Sequence, residues 1–249
     1  MEKMLILTIG MVFTGIMDAV AGEGGLLSTP LLIMAGLPPK TAVASNKAIA
    51  MFGNIATCTG FIKGKKVRFK ELKLIIPIML IGTVIGIEIL KTTSNSFMGK
   101  FVPAVLIILI FFIIFIKGTG TKGKKVSKSK LSRTITMVVL FAIGIYDGFY
   151  GAASGAFMSM TFMFVFGFEI VDSLATSRFL NLLICTVATI MLIPTGLLDV
   201  KFILIASAGR MVGGYLGSYI AMTKGAKFVK PIFLIAVILA AIKMFFKYY

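Results

Sequence analysis

Residues 15–47 read GIMDAVAGEGGLLSTPLLIMAGLPPKTAVASNK, and residues 144–178 read GIYDGFYGAASGAFMSMTFMFVFGFEIVDSLATSR. Both stretches run in one order. An apolar run carries a single acid, breaks at glycines, resumes briefly, turns, and gives way to a second apolar run that opens on polar residues and a cation. Gly15-Ile16-x-Asp18 matches Gly144-Ile145-x-Asp147, Gly22 matches Gly151, and Gly36 matches Gly167. Ala44-Ser45-Asn46-Lys47 matches Ala175-Thr176-Ser177-Arg178. The chain therefore reads as a duplicated unit in which the polar residues recur in step with the glycines.

Outward from these stretches, the composition fixes the solvent. Of 249 residues, 58% are hydrophobic, and several apolar runs reach the length of a bilayer-spanning helix. The 26 lysines and arginines against 9 acids give a net charge of +17. Those cations cluster in short loops between apolar segments, as positive-inside topology expects, which argues against a nucleic-acid partner. Cys58 and Cys185 both lie in apolar segments and read as small hydrophobes, and there is no histidine. No disulfide framework, metal or cofactor is expected. Lys3, the apolar run after it and Ala19-Val20-Ala21 look like a signal peptide, but the same segment returns at 134–151, so it reads as structural.

Apolar segments fall near 4–21, 25–36, 41–61, 74–90 and 101–116, then near 134–150, 155–167, 173–195, 202–220 and 231–246. The fold class expected is an all-α polytopic membrane protein of two inverted repeats, each of about five helical segments. Residues 1–117 form the first repeat, 118–133 a basic cytoplasmic linker, and 134–249 the second repeat. Loop 63–73 carries Lys63, Lys65, Lys66, Arg68, Lys70 and Lys73 against Glu71 alone, and the linker region carries seven cations and no acid. Both face the cytoplasm on that reading, with the two chain termini outside. Segments 25–36 and 155–167 would be only about 18–20 Å long as helices, short of a span of about 30 Å. Each is read as part of a broken or re-entrant hairpin, the two glycine apices meeting near the middle of the membrane. Gly82-x-x-x-Gly86 and Gly213-x-x-x-Gly217 read as close helix packing.

Chemistry concentrates on the repeated polar positions. Lys47 and Arg178 occupy matching places, each preceded by donors: Ser45 and Asn46, Thr176 and Ser177. Asn54 and Asn181 follow on the same helix faces. A polar stripe of this kind inside a membrane is costly unless it lines a bundle interior or a polar path. Glycine breaks free helix N-termini, whose N–H groups attract anions, so Gly22, Gly24, Gly25, Gly151 and Gly155 join the expected substrate site. Asp18 and Asp147 are intramembrane acids at matching positions, suited to act as counter-ions or proton carriers, and Glu23 could serve likewise. Arg210 stands mid-segment where the first half has Met79, as an ion-pair partner of an aspartate or a substrate contact.

Asp18-Ala19-Val20-Ala21-Gly22-x-Gly24-Gly25-Leu26-Leu27, Pro30, Gly36-Leu37-x-Pro39 and Ala44-x-Asn46-Lys47 resemble the TauE/SafE sulfite exporter family of membrane permeases, in its YfcA-like branch. Tyr146-Asp147-Gly148-Phe149-x-Gly151, Ser154-Gly155, Leu180-Asn181 and Lys224-Gly225-x-Lys227 extend the resemblance into the second half. The chain departs from the family pattern at Glu23, at Ser45 and at Ala152-Ala153. The resemblance implies transport of sulfite, sulfonates or related sulfur-containing and organic anions across the bacterial inner membrane.

The expected function is a secondary transporter of a small anion working by alternating access. The partners expected are that anion and the lipid bilayer, with a homodimer left open. A passive anion channel is the nearest rival. Tyr146-Asp147 also resembles half of an intramembrane aspartyl protease, but the partner glycine-x-glycine-aspartate motif is missing, so the chain does not read as an enzyme.

Overall fold

The computed structural model describes residues 2–115 and 130–223, together with the single positions 238, 242 and 246. Among the described residues there are nine α-helices and no strand. In chain order they are α1 (Glu2–Ala21), α2 (Gly25–Ala35), α3 (Pro39–Lys63), α4 (Phe69–Thr92), α5 (Asn95–Phe115), α6 (Lys130–Phe149), α7 (Ser154–Phe166), α8 (Ile170–Leu192) and α9 (Val200–Thr223), with a 3₁₀ turn at Ile193–Thr195 between the last two. Most of the expected linker and of the tenth segment, and Lys224, Lys227 and Lys230 before that segment, lie outside the described residues.

Local chemistry sets these boundaries. Pro38-Pro39 cannot continue α2 and pre-sets the first turn of α3, where Pro39 needs no N–H partner. Gly36 and Gly167 close α2 and α7 in left-handed conformations. The two short helices hold 11 and 13 residues, about 17 and 20 Å by helical rise, so neither crosses a membrane alone. Three helical stretches are long and apolar enough to do so: Met4–Ala21, Phe69–Thr92 and Ile170–Thr195. Helices α3 and α9 are as long, with 25 and 24 residues, but they carry the buried polar groups described below. The outer surface suits lipid rather than water: Ile81, Ile85 and Ile89 on α4 and Leu204, Val212 and Leu216 on α9 are exposed. The molecule is a polytopic α-helical membrane protein.

The halves are knitted crosswise. Helix α1 lies along α9 and α4 lies along α6, while α3 packs on α8 and α9. Glycines let the crossing backbones touch. A Cβ on Gly82 would stand 2.5 Å from Phe141 O, and one on Gly86 would stand 2.7 Å from Phe149 N. Equivalent contacts join α1 to α9, where a Cβ on Gly217 would stand 2.7 Å from Ile16 Cα. The small-residue stripes are therefore packing surfaces, as expected from their spacing.

Candidate functional site: a charged junction of two broken helices

Both broken hairpins turn at a glycine in a left-handed conformation, Gly22 at φ +77° and Gly151 at φ +82°. At Gly151 space imposes the same choice, because a Cβ would stand 2.6 Å from Lys47 Nζ and 2.8 Å from Asp147 Oδ1. The breaks meet inside the molecule: a Cβ on Gly22 would stand 2.9 Å from the carbonyl carbon of Gly155, and one on Gly25 would stand 3.3 Å from Ala152 Cα. Asp18 and Asp147 lie one helical turn before these breaks, and each is fixed by its own break. Gly24 N–H donates to Asp18 Oδ1 at 3.1 Å, and Ser154 Oγ donates to Asp147 Oδ2 at 2.6 Å.

The cations arrive from the opposite half. Lys47 on α3 places Nζ 2.8 Å from Asp147 Oδ1 and also donates to the Asp147 carbonyl. Arg178 on α8 places Nη1 2.6 Å from Asp18 Oδ1. Arg210 on α9 donates through Nη2 to Asp18 Oδ2 and through Nη1 to Asn46 Oδ1, each at 3.1 Å. None of these five charged residues is more than 4% exposed. Amides and hydroxyls complete the shell. Asn181 Nδ2 donates to Asp147 Oδ2 at 2.8 Å, Asn54 Nδ2 to Asn181 Oδ1 at 2.7 Å, and Ser28 Oγ to Asn46 Oδ1 at 2.8 Å.

Between the breaks lies a cavity of about 20 Å³, room for about one water. From the first half, Asp18, Gly22, Gly25, Asn46 and Lys47 line it; from the second come Asp147, Gly151, Gly155, Arg178, Asn181 and Arg210. Six residues expected at the site stand away from its wall. Ser45 and Thr176 face the other way: Ser45 Oγ accepts the Asp199 N–H at 3.0 Å, and Thr176 Oγ1 accepts the Arg68 N–H at 3.1 Å. Each thereby tethers the start of a helix from the opposite half, α9 or α4. Two positions along a helix do not share a face, which is why a hydroxyl two residues before a cation points elsewhere. Ser177 is bonded to Ser159 at 2.7 Å, Asn54 stands behind Asn181, Gly24 gives its N–H to Asp18, and Glu23 is buried in the first break off the wall.

Sequence reasoning missed Tyr150, Ser154, Ala50 and Cys185, which also line the cavity. Cys185 follows Arg178 by seven and Asn181 by four, a face-sharing spacing that could have found it. Tyr150 precedes Gly151 directly, but one tyrosine among 22 phenylalanines and 6 tyrosines gives no such signal.

Two electrostatic facts define what this site can hold. On the cavity wall three cations answer two carboxylates, while the Glu23 carboxylate is buried in the first break off that wall. Arg178 Nε and Nη2 and Arg210 Nε are buried without a hydrogen-bond acceptor among the described residues. Buried guanidinium N–H groups without acceptors are expensive, and an acceptor-only anion satisfies both the charge and the donors. Each carboxylate is paired with a cation of its own, an arrangement unlike the facing carboxylates of an aspartyl protease.

The sulfite exporter TauE/SafE family profile matches residues 7–244, which include every residue on the cavity wall. The chain belongs to the sulfite exporter TauE/SafE family. Similar chains carry transporter names. A "Probable membrane transporter protein" of Haemophilus influenzae is 26% identical over 91% of this chain and 88% of its own length. "Probable membrane transporter protein YfcA" of Escherichia coli K12 is 25% identical over 93% and 86%, and "Probable membrane transporter protein ORF9" of a Sinorhizobium species is 28% identical over 92% and 87%. No solved structure matches the chain. This TauE/SafE protein is a membrane transporter, not an enzyme.

Proposed function

We propose that the protein is a secondary transporter that carries a small oxyanion, sulfite, a sulfonate or a related sulfur-containing or organic anion, across the bacterial plasma membrane by alternating access. The observation that carries this reading is the excess of cations over carboxylates on the cavity wall, together with arginine N–H groups that lack acceptors among the described residues. Every ion pair there crosses from one half to the other. An anion that competes with Asp18 or Asp147 for their cations therefore weakens the bonds that hold the halves together. Each carboxylate released in this way keeps neutral donors, Gly24 N–H for Asp18 and Ser154 with Asn181 for Asp147, and can take up a proton. Substrate binding, opening and proton coupling would then share one set of atoms. An inverted-repeat architecture is supported by the crosswise packing of α1 on α9 and α4 on α6 and by the matched short helices. A cavity near the size of one water requires the halves to part before a larger anion enters, which favours rocking over a standing pore.

The test is anion flux in proteoliposomes containing the purified protein. Sulfite or methanesulfonate uptake is expected to saturate and to show counterflow when the inside is preloaded. Flux that stays linear in concentration would replace this reading with a channel, and no protein-dependent flux would remove it.

A further inference from the structure

We infer that Tyr150 is a specificity-determining residue: its hydroxyl joins Arg178 and Arg210 in donating to a bound anion and selects heads with three oxygens over carboxylates. The inference rests on the anion-site reading above and adds to it which residue discriminates. Tyr150 lies on the cavity wall, is 2% exposed, and its hydroxyl is buried with no hydrogen-bond partner among the described residues. The two arginines beside it on that wall are the ones with N–H groups in the same condition.

These residues are also where the two halves differ. Asp18 answers Asp147, Lys47 answers Arg178 and Gly22 answers Gly151, but Tyr150 answers Ala21 and Arg210 answers Met79. The second equivalence holds in space. A Cβ on Gly144 would stand 2.6 Å from Met79 O, and one on Gly15 would stand 2.5 Å from Arg210 O. Both departures put a residue with a side-chain donor on the cavity wall, and neither adds a carboxylate. Among the described residues, donors without acceptors thus come from three places: Tyr150 just after α6, Arg178 on α8, and Arg210 on α9. A carboxylate brings two oxygens to such a set, whereas a sulfonate or sulfite brings three. The arginines hold either head by charge, so the neutral hydroxyl is the donor whose value depends on the third oxygen.

Tyr150→Phe isolates this group, because the ring and its edge contacts with Phe101 at 5.6 Å and Tyr146 at 6.4 Å remain. Methanesulfonate and acetate are matched probes with one methyl group and one negative charge each. In proteoliposomes the variant is expected to raise KM for methanesulfonate about tenfold, the loss of one hydrogen bond to a charged acceptor, and to leave the acetate KM or inhibition constant within about twofold. In detergent without anion its melting temperature is expected to stay level or rise, because the hydroxyl removed has no partner to lose. Tyr146→Phe is the control: that hydroxyl donates to Ala152 O at 2.7 Å, so its loss lowers the melting temperature without changing the ratio of the two anions. Saturable uptake that Tyr150→Phe leaves unchanged, or weakens equally for both anions, overturns the inference and leaves the anion-site reading standing. A variant that melts lower or fails to fold overturns it too, because the hydroxyl would then be structural. A parent protein with no saturable uptake of either probe removes the anion-site reading and this inference with it.

Discussion

Lys47 and Arg178 occupy equivalent positions, yet their removal has unequal consequences. Asp147 has Lys47 as its cation, with neutral support from Ser154 and Asn181. Asp18 has two, Arg178 and Arg210. Lys47→Met leaves a buried carboxylate with no counter-charge and is expected to cost about 3–5 kcal/mol. Arg178→Met leaves Asp18 with Arg210 and the Gly24 N–H, and is expected to cost about 1.5–3 kcal/mol, the loss of one charge-assisted bond. Adding Asp147→Asn to Lys47→Met should recover most of the loss, because the stranded charge goes with it. Thermal melting of the three variants in detergent checks the order; equal losses, or no recovery in the double variant, would contradict it. The sequence shows that these residues correspond, but correspondence is not contact. Nothing in a repeat says that an acid of one half takes its cation from the other, and the second cation on Asp18 comes from Arg210, which has no match in the first half.

At the scale of elements, the helix pairs α4 with α6 and α1 with α9 depend on backbones that touch where a side chain would stand. Gly86→Ala puts a methyl group against the backbone of Ile145 and Phe149, neither of which can turn aside, and is expected to cost about 1–3 kcal/mol. Gly10→Ala meets only the end of the Leu31 side chain, at 2.8 Å, and should cost distinctly less. A melting temperature for Gly86→Ala at or above that of Gly10→Ala would sink this account. Elements were the most legible level in the sequence. Apolar runs separated by glycines, prolines and cationic loops locate each helix, because in lipid a helix must satisfy its backbone internally and can end only where polar or glycine-rich chain permits. What the runs could not convey is rotation about the helix axis. Ser45 and Thr176 read as neighbours of the cations beside them, but they are turned away and hold the starts of α9 and α4 instead. These two tethers are not equal, since Arg68 is also paired with the buried Asp172 while Asp199 is held through its backbone.

For the molecule as a whole, the cationic loop 63–73 and the cations between 117 and 133 predict that both face the cytoplasm, with the chain termini outside. Reporter fusions at residue 125 and at the C-terminus are expected to give opposite signals; a cytoplasmic C-terminus would rule out five segments in each half. The cross-half ion pairs also bear on how the protein is made. Lys47 precedes Asp147 by 100 residues, and Asp18 precedes Arg178 by 160 and Arg210 by 192. At about 5–20 residues per second, the ribosome delivers the partner of Lys47 about 5–20 s after it, and the last partner of Asp18 about 10–40 s after that acid has emerged. Throughout this interval the nascent first half holds an acid and a base that lipid will not accept bare. It must wait beside the insertion machinery, in water, or with its carboxylate protonated, until the second half arrives to neutralise it. The ion pairs of this transporter can therefore close only late in its synthesis, and a chain stopped before residue 178 carries Asp18 without either of its arginines.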